Sequence, residues 1–205
     1  MPRLPARPRE ELDADPEIKA SLDMVMRNNG YIANNFLTLG HVPDILRPFL
    51  ALTREILRVD REVPPDLKWL VGHVASRTAG CQYCALHTIS NGAKTGADAA
   101  KVEAVWDYET SPLFSDAERA ALRVAQLSSQ VPNMVDDEAF AALRRHWSVT
   151  QCTEIMAVIA LFGFLNRWAD TIKTELEDIP LDWADKHRLA ERGWDGSEHR
   201  PQAAE

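Results

Sequence analysis

The residues with the most chemistry in this chain lie in one run, His73-Val-Ala-Ser-Arg77-Thr-Ala-Gly80-Cys81-Gln-Tyr-Cys84-Ala-Leu-His87-Thr88. If a helix ends at Gly80, Cys81 stands at or beside the N-terminus of the next helix, where unpaired peptide N–H groups favour negative charge. That setting is expected to lower the thiol pKa and raise the share of thiolate, the attacking species. His87 comes three residues after Cys84 on the same helix face, so its imidazole can take the thiol proton or return one to a leaving alkoxide. Arg77 would add positive charge if its side chain turned inward. The CxxC spacing also lets one sulfur reach the other, so a sulfenic acid can close to a disulfide instead of oxidising further. This chemistry suits peroxide reduction.

Other readings of the same residues are weaker or stay open. A c-type haem motif needs histidine directly after the second cysteine, where Ala85 stands. A thioredoxin-type CxxC follows a strand, and no strand pattern precedes Cys81. Zinc stays open, because Cys81, Cys84, His87 and His73 are all ligand types that it accepts. His73, eight residues before Cys81 across the glycine break, is expected to project inward as a second proton carrier. His41, His146, His187 and His199 have no such company and read as surface or capping groups. Cys152 reads as a small hydrophobe, and the stripe Ile155, Met156, Ile159, Phe162 and Phe164 as core.

The elements that must position these groups are helical. Period-two alternation is nearly missing and helical punctuation recurs, so the fold class is all-α in a single domain. Pro16 opens a helix through Ile18, Leu22, Val25 and Met26 that ends at Asn28-Asn29-Gly30. A short segment spans Ala33 to Leu39, and Pro43 opens the next helix. Asp66 is expected to cap a helix running to Thr78, Gln82 to Gly92 forms the next, and Thr95 is expected to cap Ala97 to Trp106. Ser115 with Glu118 and Ser148 with Gln151 make capping boxes, and Asp136 or Asp137 opens a helix between them. The most apolar run, Ile155 to Leu165, is 11 residues long, too short for a bilayer, and reads as a buried helix. Beyond Pro180 the chain turns polar and aperiodic, which reads as a tail either loose or laid over a neighbouring subunit.

Composition narrows the partners. In 205 residues, 31 acidic against 23 basic side chains give a formal charge of −8, a field that repels nucleic acid and anionic membranes. With 45% hydrophobic and 26% charged residues, the balance is that of a globular protein. The start, MPRLPARPRE, carries no apolar run of signal-peptide type, so a cytoplasmic location is expected. Three cysteines are too few for a disulfide scaffold, which again points to redox or metal chemistry for the pair.

Gly80-Cys81-Gln82-Tyr83-Cys84, with histidine close behind, resembles the alkylhydroperoxidase D-like branch of the carboxymuconolactone decarboxylase family. The likeness extends through Asn35–Pro43, Phe114–Ala120 and Phe164–Arg167, and covers Asn28 to Thr174. It implies an alkylhydroperoxidase D-like helical fold over residues 28–179, with residues 1–27 as an N-terminal helical extension and residues 180–205 as a tail. It also implies a homo-oligomer, trimer or hexamer, that reduces a small hydroperoxide with electrons from a dithiol reductant and needs no cofactor. Under it Cys84 attacks and Cys81 resolves. Two positions depart from the family pattern: Trp69 stands where its glutamate is expected and Thr88 where its histidine is expected. His87 and His73 are the expected substitutes. The alternatives are a zinc-binding or stress-sensing oligomer, and a cofactor-free decarboxylase or isomerase of a small organic acid.

Overall fold

Prolines, polar caps and left-handed glycines cut the chain into helices much as local rules require. The computed structural model describes residues 1–201 and contains no strand among them. Its α-helices are α1 (Arg9–Leu12), α2 (Pro16–Asn29), α3 (Asn34–Leu39), α4 (Pro43–Leu57), α5 (Pro65–Thr78), α6 (Gln82–Lys94), α7 (Ala99–Ala104), α8 (Asp116–Ser128), α9 (Asp137–His146), α10 (Val149–Ile172) and α11 (Asp178–Lys186). Asp15 accepts the amides of Glu17 and Ile18 to start α2, and Gly30 at φ 83° ends it. Both capping boxes form as expected, and Asp136 rather than Asp137 caps α9.

Several boundaries differ for identifiable reasons. Pro64 and Pro65 start α5 by fixing φ, so Asp66 lies inside the first turn and caps nothing. Thr95 turns its hydroxyl back to the Gly92 carbonyl and closes α6, which runs to Lys94; Asp98 caps α7 instead. That helix ends at Ala104 before a 3-10 turn over Val105–Asp107. The apolar run Ile155–Leu165 is only the middle of α10, whose 24 residues also take in Asn166 and Arg167. Length and composition would let α10 cross a membrane, but here it packs against α3, α4, α5, α6, α8 and α9.

The core sits where α5 and α10 cross, with α6 and α8 packed on α5. Ile155, Val158 and Phe162 of α10 are buried there, while Phe164, expected in the same stripe, is 43% exposed. Gly72 on α5 permits the crossing, since a Cβ at that position would collide with the ring of Phe162.

The C-terminal segment packs onto its own chain, which corrects the expectation of a loose tail. Leu176 N–H donates to the His199 carbonyl at 2.7 Å, and Trp194 Nε1 donates to the Gln82 carbonyl at 3.0 Å. His199, expected at the surface, is buried against the Tyr83 ring with Nδ1 2.8 Å from the Thr174 carbonyl. Helices α2 and α11 run across the expected borders at 27/28 and 179/180.

Gly72→Ala tests the crossing. Helix propensity alone would favour alanine, but the ring cannot withdraw from a packed core, so the variant should be less stable by about 1–3 kcal/mol. In a thermal melt this is a fall in Tm of roughly 3–10 °C.

Candidate active site

Two helix-terminal motifs share one residue at the thiols. At the end of α5 the amide of Gly80 donates to the Arg77 carbonyl at 3.1 Å and that of Cys81 to the Ser76 carbonyl at 3.0 Å. This pair of bonds forms the turn in which the residue after the cap is left-handed, and Gly80 meets that need at φ 85°. The next residue, Cys81, is already the N-cap of α6, and its Sγ accepts the Cys84 amide at 3.4 Å. Cys84 therefore occupies the first turn of α6, and His87 lies one turn on.

Both thiols are free and buried. Burial pushes the Cys81 thiol well above its ordinary range, helped by its hydrogen bond to the Cys84 side chain and by the charge there. The Cys84 amide works the other way and loses, so the expected activation of this thiol by the helix terminus is outweighed by desolvation. Burial thus favours the protonated form of Cys81.

The structure brings His87 to Glu177, a residue that spacing gave no reason to suspect. His87 Nε2 lies 2.7 Å from Glu177 Oε2. The other carboxylate oxygen accepts Tyr83 OH at 2.8 Å and the Asn34 amide at 2.6 Å. Ala33, the N-cap of α3, offers no side-chain acceptor, and Glu177 takes that place from 143 residues away. A carboxylate holding Nε2–H fixes the imidazole tautomer and leaves Nδ1 free to accept a proton. The Tyr83 and Tyr31 rings lie 4.2 and 5.4 Å from that of His87 and hold it in place.

Cys84 and His87 open onto a cavity with about 90 Å3 of water-accessible space. Its walls are mostly apolar, with Phe36, Leu57, Trp69 and Phe162 among them. Trp69, at the family's glutamate position, packs edge-on to Phe162 and lies under the Arg58 guanidinium at 4.9 Å. It cannot relay a proton as a carboxylate would.

His73 is buried as expected but looks elsewhere. Its Nδ1 lies 3.0 Å from the Ala85 carbonyl and 3.2 Å from Thr88 Oγ1, and the side chain lines a second cavity, together with Arg77. Thr88 Oγ1 in turn donates to the Cys84 and Ala85 carbonyls, at 2.8 and 2.9 Å. Arg77 stacks on Trp106 at 4.5 Å. Burial first, then the Arg77 charge, pushes the His73 pKa down to about 4. The four residues considered as zinc ligands do not converge, and among the described residues no three His, Cys, Asp or Glu side chains do so as a metal requires. Cys152 lies buried in the first turn of α10, 3.6 Å from the Trp147 carbonyl.

A sequence profile described as the carboxymuconolactone decarboxylase family matches residues 43–127. YnjA of Escherichia coli (strain K12), an uncharacterized protein, is 30% identical over 154 residues, 75% of this chain and 82% of that one. The chain belongs to the carboxymuconolactone decarboxylase family. Among solved structures, the debrominase Bmp8 is 32% identical with a TM-score of 0.82, covering 89% of this chain and 96% of its own. It has been solved without ligand and, as a cysteine-to-alanine variant, with 2,3,4-tribromopyrrole. The alkylhydroperoxidase AhpD core of an uncharacterized peroxidase-related protein from Ralstonia eutropha JMP134 is 25% identical, with a TM-score of 0.74 over 87% of this chain and 94% of that one. Family membership and an AhpD-like helical fold thus agree with what the residues suggested, and the family has enzymatic members.

Two measurements check the electrostatics. With limiting iodoacetamide near neutral pH, peptide mass spectrometry should find label on Cys84 well before Cys81, since burial disfavours the Cys81 thiolate. For His73, the folded protein stays neutral down to about pH 4, whereas an unfolded imidazole takes a proton near 6.5. The unfolded chain then binds more protons between these values, so stability is lost as pH falls from 6.5 toward 4, by up to about 3 kcal/mol. Urea unfolding at pH 7 and pH 4.5 should show this loss, and His73→Gln should flatten it.

Proposed function

We propose that this protein is a thiol-dependent peroxidase of the alkylhydroperoxidase kind, with Cys84 as nucleophile, Cys81 as resolving thiol and His87 as proton carrier oriented by Glu177. One observation carries the reading: Cys84 and a carboxylate-held His87 open onto the same apolar cavity, with Cys81 bonded behind them. His87 Nδ1 accepts the Cys84 proton, and the thiolate attacks an oxygen of an organic hydroperoxide. The O–O bond breaks with its electron pair leaving on the alkoxide, which takes the proton from His87. Cys84 is now a sulfenic acid. Cys81 attacks its sulfur, and hydroxide departs with the Cys81 proton as water, leaving a disulfide. An external dithiol reduces that disulfide, so each cycle converts hydroperoxide and dithiol to alcohol, water and oxidised reductant. His73 is a positioning residue, which holds the first turn of α6 through Ala85 and Thr88.

The apolar, aromatic walls and the likeness to a debrominase solved with a bromopyrrole favour one second reading. Here the Cys84 thiolate would take bromine from a brominated ring while His87 protonates the carbon. Cys81 would then displace bromide and form the same disulfide.

Cumene hydroperoxide and dithiothreitol, followed by loss of peroxide, test the first reading. Turnover is expected, abolished in Cys84→Ser and reduced about 10²-fold or more in His87→Phe. Bromide release from 2,3,4-tribromopyrrole without peroxide turnover would select the second. If neither substrate yields a Cys81–Cys84 disulfide by mass spectrometry, both readings fail.

A further inference from the structure

The second cavity, across α6 from Cys84, has about 210 Å3 of water-accessible space, and Ile89, Val102, Trp183 and Trp194 supply apolar walls. Two polar groups in its lining, Arg77 and His73, are placed to meet a ligand. Arg77 is half-buried, and among the described residues its guanidinium has a ring beneath it but no hydrogen-bond acceptor. Asp107 attracts it only from a distance, and Glu103, on the same cavity wall, is engaged by Arg192 at 3.3 Å. His73 is the second. The carbonyl of Ala85 can only accept, so Nδ1 carries the proton and Nε2 is a bare acceptor. Nε2 has no protein partner among the described residues, yet it is not among the atoms sealed from solvent, so it opens to the cavity that His73 lines.

A half-buried cation without an anion is costly, and a charge-assisted bond to a carboxylate offsets that cost. We propose that this cavity binds a small hydroxylated aromatic carboxylic acid, its carboxylate on Arg77, its hydroxyl donating to His73 Nε2 and its ring between the tryptophan and aliphatic walls. Among the described residues of this lining Arg192 is paired with Glu103 and Arg77 has no ion pair, so one free cation stands beside the neutral His73 imidazole, which suits a single negative charge better than a phosphate's two. The flat, apolar walls suit a ring, and the volume has room for one. The inference stands apart from the reaction at Cys84.

Isothermal titration and tryptophan fluorescence of the full chain, with the three hydroxybenzoate isomers, benzoate and inorganic phosphate, test it. At least one hydroxybenzoate should bind saturably and more tightly than benzoate, and phosphate should not compete. Arg77→Gln should weaken binding about 10-fold or more, Arg77→Lys should retain part of it, and His73→Phe should abolish the preference for the hydroxyl. Circular dichroism confirms the fold of each variant, and the arginine-to-lysine variant serves if the glutamine one fails to fold. No saturable binding up to about 10 mM, binding indifferent to both Arg77 variants, or equal binding of phosphate would each overturn the proposal.

Discussion

The carboxylate of Glu177 accepts from a ring nitrogen of His87, the hydroxyl of Tyr83 and the backbone amide of Asn34. Through these bonds the start of α11, the start of α3 and the first turns of α6 are held as one unit. The bonds serve the fold and the chemistry together. The Asn34 amide is an orphan donor at a helix start that the chain's own cap cannot satisfy, and Tyr83 would otherwise be a buried hydroxyl in an aromatic cluster. With both satisfied by an anion, the same anion sets the tautomer of His87.

The thiols show two rules of physical chemistry in competition. Peptide dipoles at a helix start favour thiolate, and removal from water opposes it. At Cys81 the second effect is larger, because the residue is fully enclosed and its one amide donor belongs to Cys84. The result is an asymmetric pair, with an enclosed sulfur that keeps its proton and a neighbour that meets the cavity. A sequence motif cannot state that asymmetry, since both cysteines look alike in it.

What could be read from the residues was what is local. The capping boxes, Gly30, Gly80 and the place of the cysteines at a helix start all follow from neighbours within a turn or two. Glu177 was hidden because it meets His87 across 90 residues, and no spacing rule spans that distance. The order of the tail was not legible because it is held by isolated contacts, such as the Trp194 indole on a backbone carbonyl, rather than by a periodic apolar face. His73 was correctly expected to be buried, but which side of α6 it faces depends on how α5 lies against it. That angle is set by packing that a pattern of residue types does not specify.

The order in which these parts are made has a consequence of its own. During synthesis the two sulfurs and the imidazole leave the ribosome some ninety residues before the carboxylate that orients the imidazole. A nascent or truncated chain that ends before residue 177 therefore carries Cys81, Cys84 and His87 without the carboxylate that holds the imidazole, which arrives only when the last segment folds back over the first turn of α6.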